Sequence, residues 1–183
     1  MNFFLTCNYQ YAFKDLLHYL VYTSNDNLNR FAERYFMLRV GEPIRRNIKY
    51  HYRPSIYGLI IVGKSMLLTQ QHGNEIQLPG GGIDKGEHYL HALIREVYEE
   101  TGWKIKPERR LGFFQRYVYM PEYNKWAHKV SHIHLCRGIY QVSLPTEKEH
   151  IAKLEKPEIA ARLVESPGDS FFINRFFGLT SSS

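Results

Sequence analysis

Apolar residues recur along this chain with two different periods, and each change of period marks an element. Residues 50–62 (YHYRPSIYGLIIV) are rich in β-branched and aromatic side chains, which predicts a strand. Gly63-Lys64-Ser65 supplies a turn and residues 66–70 a return strand, so the two read as a hairpin. Residues 71–75 are a polar loop. Residues 76–78 are a short strand running into Pro79-Gly80-Gly81-Gly82, where glycine lets the backbone turn sharply and pass close to other groups. The period then becomes helical, from about Glu87 or His88 to Thr101. On a wheel with Glu96 at zero, Leu90, Leu93, Ile94, Val97 and Tyr98 fall between about 60° and 200°, a predicted core face. Ala92 falls beside the acidic residues and leaves space there. Gly102 stands at the helix-stop position.

Residues 111–120 and 129–142 predict two further strands, joined through the loop 121–126 as a second hairpin. His132 and His134 alternate with Ile133 and Leu135, so both imidazoles share one face of their strand. No third ligand stands at metal spacing from them, and the pair reads as facing solvent or an amide partner. Residues 150–154 form a short strand, and Pro157 opens a helix over 158–164. Residues 166–169 read as a turn and 171–177 as an aromatic terminal helix. Strands on either side of a helix, followed by a last helix, predict an α/β (α+β) chain with a mixed sheet between helices.

Residues 1–50 carry helical spacing over 13–22 and 28–38, separated by Ser24-Asn25-Asp26-Asn27. The expected organisation is an N-terminal helical extension over 1–50 and a main domain over 51–183. Arg30, Arg34, Arg39, Arg45 and Arg46 make the extension basic. It reads as helices packed on the domain, the alternative being an arm that makes a homodimer, covers a site or contacts substrate.

Composition narrows the class. The chain has 183 residues, 44% hydrophobic and 23% charged, as expected of a globular domain with a full core. A net charge of +6 favours polyanionic partners such as nucleotides, RNA or acidic membranes without choosing among them. Cys7 and Cys136 form no metal or disulfide pattern. No run of eighteen apolar residues predicts a membrane span, and the first residues lack a secretory pattern, so no membrane partner and a cytoplasmic location are expected.

The helix after the glycines carries the chemistry. Glu96, Glu99 and Glu100 share an arc about 100° wide, because side chains three and four apart are neighbours on a helix. Like charges so placed repel, and divalent cations would neutralise them. Hard cations such as Mg²⁺ take carboxylate oxygens together with substrate phosphates. A solvated acidic face is the alternative reading.

Residues 81–103 decide between these. Gly81, Glu87, Arg95, Glu96, Val97, Glu99, Glu100 and Gly102 match every fixed position of G-x5-E-x7-R-E-U-x-E-E-x-G-U, where U is apolar. The chain therefore resembles the Nudix hydrolases, with Trp103 in place of the usual final aliphatic residue. The surrounding strands extend the resemblance to roughly residues 53–165. It implies a Nudix-fold α/β/α sandwich with a mixed central sheet. It also implies an acid anhydride hydrolase that cleaves a nucleoside diphosphate linked to a moiety X into nucleoside monophosphate and phosphorylated X.

Carried over residue by residue, the resemblance makes Glu96, Glu99 and Glu100 ligands of Mg²⁺ or Mn²⁺, with a backbone oxygen near Gly80 or Gly81. Arg95 would orient a metal-binding glutamate. The general base is a box glutamate in some members and a downstream loop glutamate in others; Glu122 is the candidate here, ahead of Glu147 and Glu149. Tyr119, Tyr123 and Trp126 are candidates for stacking on a base, with Tyr117 weighed beside them. Pro121 and Tyr119 lie near positions that hint at different substrates. The alternatives are an RNA 5′-end hydrolase or RNA-binding protein, and an idle nucleotide sensor. The complete acidic row argues against the sensor.

Overall fold

The computed structural model describes residues 38–179, with the backbone alone for His72 and Glu122. The strands are β1 (Leu38–Gly41), β2 (His51–Val62), β3 (Ser65–Gln71), β4 (Glu75–Gln77), β5 (Gly80–Gly82), β6 (Trp103–Met120), β7 (Lys125–Gln141) and β8 (Ile151–Glu155). The helices are α1 (Tyr89–Thr101), α2 (Pro157–Leu163) and α3 (Pro167–Phe177). Short 3-10 turns span His72–Asn74 and Pro121–Tyr123. The strands form one mixed sheet in the order β1-β6-β7-β2-β3-β4, with β5 also on β2 and β8 also on β3. β1 runs parallel to β6 and β2 parallel to β7, while the other pairs are antiparallel.

Period-two alternation divides the core into two layers. On one face Ile56, Ile60, Leu67, Ile105 and Cys136 meet Ala92, Leu93 and Val97 of α1. On the other, Tyr57, Leu59, Met66, Leu68, Phe114 and Ile133 meet α2 and α3 through Ala160, Ala161, Phe172 and Ile173. Each fully buried aliphatic side chain contributes roughly 1.5–3 kcal/mol. This is the expected α/β/α sandwich. The burial pushes the Cys136 thiol up to about 12.

Several elements depart from their predicted form. The glycines 80–82 are not a free turn; they pair with β2, Gly81 lying opposite Ile56. Gly80 has φ +141° and its backbone lies so close to β2 that a Cβ there would strike the carbonyl oxygen of Ile56. β6 starts at Trp103 rather than near 111. Its register against β7 shifts at Lys104/Ile105, Pro107/Arg109 and Arg110/Gly112; the last two insert Glu108 and Leu111 into β6 and break the alternation that marks a strand in the sequence. The predicted turn 166–169 is the start of α3, capped by Ser166, whose hydroxyl accepts from the N–H of Asp169. His134 is not solvent-facing: it is 5% exposed, packs 5.5 Å from the Tyr89 ring, and its Nδ1 has no hydrogen-bond partner among the described residues.

The helix expected over 13–22 and nearly all of that over 28–38 lie outside the described residues. Leu38 itself opens β1. Among the described residues, no helix is long and apolar enough to cross a membrane.

Candidate active site

α1 begins at His88, whose side chain accepts from the N–H of Leu90, and ends at Gly102 in the left-handed conformation. Its buried residues are Ala92, Leu93, Val97, Glu100 and Thr101, while Ile94 is 42% exposed. The buried arc is thus rotated by about 80° from the one the apolar residues predict. Hydrophobic periodicity treats a carboxylate as outward-facing, whereas Glu100 points in and is 4% exposed. Ala92 leaves no space beside the acids; it is fully buried and brings the helix close to the sheet.

That rotation sets the acidic row against the glycine strand. Glu100 Oε2 accepts the N–H of Gly80 at 2.9 Å. Glu96 lies over Gly81, where a Cβ would collide with its carboxylate. Arg95 ties the row together. Its Nε and Nη2 donate to the two oxygens of Glu87, each at 2.9 Å, and Nη1 donates to Glu96 at 2.9 Å and to Glu99 at 3.1 Å. Nη2 also reaches the carbonyl of Gly82 at 3.4 Å.

The carboxyls divide into two electrostatic kinds. The Arg95 hydrogen bonds, helped by the N–H of Asp84, hold Glu87 down at about 2. Burial pushes Glu96 up, against the pull of Arg95. Burial pushes Glu100 well above the usual carboxylate range, and the charges of Glu96, Glu147 and Glu99 add to the shift.

A second group comes from the segment before β8. The backbone N–H groups of Thr146 and Glu147 donate to the carbonyl of Glu99 at 2.9 and 3.1 Å, holding this loop on the end of α1. His150 then bridges: Nε2 lies 3.0 Å from Glu147, and Nδ1 lies 3.0 Å from Thr69 Oγ1 and 3.7 Å from Glu100. One ligand atom each from Glu100, Glu147 and His150 falls within a sphere of metal-site size.

An open cleft of about 420 Å³ starts at Gly80–Gly82 and Glu100. Arg53, Arg116 and Lys129 give it basic walls, and Tyr119 and Tyr123 lie at its rim. Glu100 and Glu75 are the lining carboxylates, and the three cations facing them match a substrate whose phosphates carry the charge.

The NUDIX domain family model matches residues 51–169. This chain belongs to the NUDIX family. Curated relatives of this Nudix chain match over a short central segment. An RNA pyrophosphohydrolase from Brucella anthropi is 45% identical over 29% of this chain and 37% of its own length. One from Actinobacillus pleuropneumoniae serotype 5b is 41% identical over 33% of this chain and 30% of its own. The match thus spans about a third of those relatives. Solved structures agree on the fold. A NUDIX hydrolase from Nitrosomonas europaea aligns over 70% of this chain and 90% of its own, with TM-score 0.58 and 18% identity. The MutT protein from Methanosarcina mazei Go1 aligns over 72% and 97%, with TM-score 0.56 and 25% identity.

The structure brings Gly81, Arg95, Glu96, Glu99 and Glu100 together, as the Nudix box implies. Tyr119 and Tyr123 reach the cleft, where Arg53 lies over the Tyr123 ring at 4.7 Å. Trp126 is not among the residues that line it; its ring packs on Tyr119, Tyr50 and the Arg45 guanidinium. Glu122 lies in the Pro121–Tyr123 turn, and both of its neighbours line the cleft. Sequence reasoning missed Arg53, Arg116, Lys129 and His150 and ranked Glu147 low. The available signal was one cation on each of three strands, placed where the alternation points to a single face.

Proposed function

We propose that this chain is a metal-dependent pyrophosphohydrolase. It cleaves a nucleoside diphosphate linked to another moiety X, releasing nucleoside monophosphate and phosphorylated X. The carrying observation is Glu100, a carboxylate buried at one end of a basic cleft with one oxygen on the Gly80 N–H and the other 3.7 Å from His150 Nδ1, beside Glu147. Ionising such a group costs free energy that a cation beside it would offset. The donor set is hard, with carboxylates on α1 and on the loop before β8, which suits Mg²⁺ or Mn²⁺.

Glu96, Glu99 and Glu100 would hold the cation, with Glu147 and His150 beside them. When bound, it supplies charge neutralisation on the phosphate oxygens and a water of lowered pKa. Arg95 fixes two of the acids, so the row does not have to reorganise as charge develops. Arg53, Arg116 and Lys129 receive the flanking phosphate. Tyr119 and Tyr123 offer ring surface to a base at the rim. Proton acceptance from the attacking water we assign to Glu147, because its loop is bonded to the Glu99 carbonyl and its carboxylate is oriented by His150. Glu122, in the turn at the cleft, is the competing assignment.

A second reading is hydrolysis at an RNA 5′ end. It is favoured by the local likeness to proteins named RNA pyrophosphohydrolase and by the open, basic cleft. Phosphate release from a panel separates the two. The panel holds nucleoside triphosphates, ADP-ribose, sugar nucleotides, dinucleoside polyphosphates and 5′-triphosphorylated RNA, each with Mg²⁺ or Mn²⁺. Turnover that vanishes in Glu99→Gln/Glu100→Gln supports the site, and the ranking names X. Turnover that survives sinks it, and binding without turnover would favour a sensor.

A further inference from the structure

β6, β7 and β2 carry more than the cleft. Residues 114, 116 and 118 of β6 face α3 and the cleft, so residues 113, 115, 117 and 119 start out on the opposite face. The register sets His132 beside Phe113, Val130 beside Gln115, His128 beside Tyr117 and Trp126 beside Tyr119. On the far side of β7, Tyr52 pairs with His128 and Pro54 with Val130. These rungs lie beyond the N-terminal end of α1, which stops at Tyr89 over His134.

The rungs carry two groups of rings, Phe113/His132 and Tyr117/His128 with Tyr50, Tyr52, Tyr119 and Trp126, separated by the Gln115–Val130–Pro54 rung, where Val130 is buried. Tyr117 stacks on His128 with centroids 4.5 Å apart and planes within 5°. Tyr50 meets the edge of Tyr117 at 4.8 Å, and Phe113 lies 5.8 Å from His132. The two groups make a strip that is only half-buried, and Tyr52 is 65% exposed. Cross-strand ring pairs stabilise a hairpin wherever they occur, and that alone would account for the pairs. It does not account for the charge around them.

Arg110 lies over the Phe113 ring at 5.0 Å, and Arg45 lies over the Trp126 ring at 4.9 Å while also pairing with Glu42. Arg39 stands opposite Gln115 and is exposed. The strand segments that build the face, 38–41, 50–56, 110–119 and 126–134, contain no Asp or Glu. A half-open aromatic strip edged by arginine and free of carboxylates within its own strands has the chemistry of a platform on which bases stack while phosphates meet guanidinium groups.

We infer that this face of the sheet binds single-stranded polynucleotide, at a surface separate from the hydrolytic cleft. From Phe113 to Tyr119 the strand covers roughly 20 Å, room for about three or four nucleotides. Tyr119 belongs to the end of the strip and also lines the cleft, so a bound strand would have one end at the cleft mouth. The inference does not depend on which anhydride the cleft hydrolyses, or on whether it hydrolyses one.

The test uses the full chain, EDTA, and a 5′-fluorescein-labelled single-stranded RNA decamer that carries no 5′ phosphate, so that the cleft is not the anchor. Fluorescence anisotropy is expected to show saturable binding that weakens as salt rises from 50 to 200 mM. Tyr52→Ala is expected to weaken it about tenfold, and Arg39→Gln/Arg110→Gln to flatten the salt dependence. Both variants are expected to keep wild-type turnover on the best small nucleotide of the panel. A duplex of the same sequence is expected to bind at least tenfold more weakly. The inference is overturned if the decamer does not bind, if Tyr52→Ala binds like wild type, or if the duplex binds equally. It is also overturned if Glu99→Gln/Glu100→Gln, rather than the face variants, changes binding. Sedimentation showing a dimer that Tyr52→Ala dissociates would assign the face to a second copy and overturn it too.

Discussion

Arg95 grips Glu87 with a two-point fork, Nε to one carboxylate oxygen and Nη2 to the other, each at 2.9 Å. The fork fixes the guanidinium plane, and the remaining nitrogen then serves Glu96 and Glu99. Glu87 is thus the anchor of the acidic row although it lies outside it. A lysine cannot reproduce the fork, because its ammonium is a point donor. Arg95→Lys is expected to lower kcat/KM by about 10–100-fold, the range for groups that orient metal ligands. Steady-state assays with Mg²⁺ and Mn²⁺ check this, and a loss below twofold would remove Arg95 from the orienting role.

Gly81 makes a sharper test of the same geometry. A Cβ there would collide with the carboxylate of Glu96, while the Gly81 backbone itself is compatible with any residue. Gly81→Ala is therefore expected to displace one carboxylate and leave the fold intact. Activity should fall about 10–100-fold, with stability changed by less than about 1 kcal/mol. Denaturant unfolding and turnover, measured on the same preparation, separate the two effects.

Glu100 should reverse its effect on stability with metal. Buried and pushed well above its usual range, it opposes folding when ionised without a cation. Glutamine keeps an oxygen for the Gly80 N–H and removes the charge. Metal-free Glu100→Gln is expected to unfold at a higher temperature than wild type. Metal at a hundred times its dissociation constant adds about 2.7 kcal/mol to wild type, but about 0.4 kcal/mol to a variant that binds a hundredfold more weakly. Thermal scans with EDTA and with Mn²⁺ check both halves.

The two parts of this site differ in how far the sequence exposes them. The box, Gly81 to Gly102, is local: its spacing on one strand and one helix already brings its members together. The hairpins, too, follow from local alternation. What escaped was long-range. Glu147 and His150 join the site because β8 pairs with β3, setting Leu154 opposite Leu67, and no short window of sequence encodes that pairing. The basic walls need β2, β6 and β7 side by side. The rotation of α1 was hidden because a carboxylate that finds a buried N–H violates the polar-out rule on which periodicity rests. The start of β6 was hidden for a related reason, since two bulges, at Glu108 and Leu111, interrupt its alternation.

Asp169 gives a prediction with the opposite pH sense to most acids. It is 2% exposed in the first turn of α3, and its Oδ2 accepts the N–H of Leu78 at 3.2 Å, just before the glycine strand. Burial pushes its pKa up to about 6, against the pull of the Leu78 N–H and of Arg116. The folded state therefore holds this proton more tightly than the unfolded chain, whose carboxyl titrates near 3.8. Between these values the folded state binds more protons, so stability falls as pH rises through the window and is flat above it. The loss is on the order of 3 kcal/mol if the full shift is realised. Asparagine preserves an acceptor for Leu78 and has no proton to lose. Asp169→Asn is expected to match wild type near pH 4 and to exceed it above pH 6, which urea unfolding at a series of pH values measures. Parallel curves for the two proteins across that range would show that Asp169 titrates normally and that the cations near it fully compensate its burial.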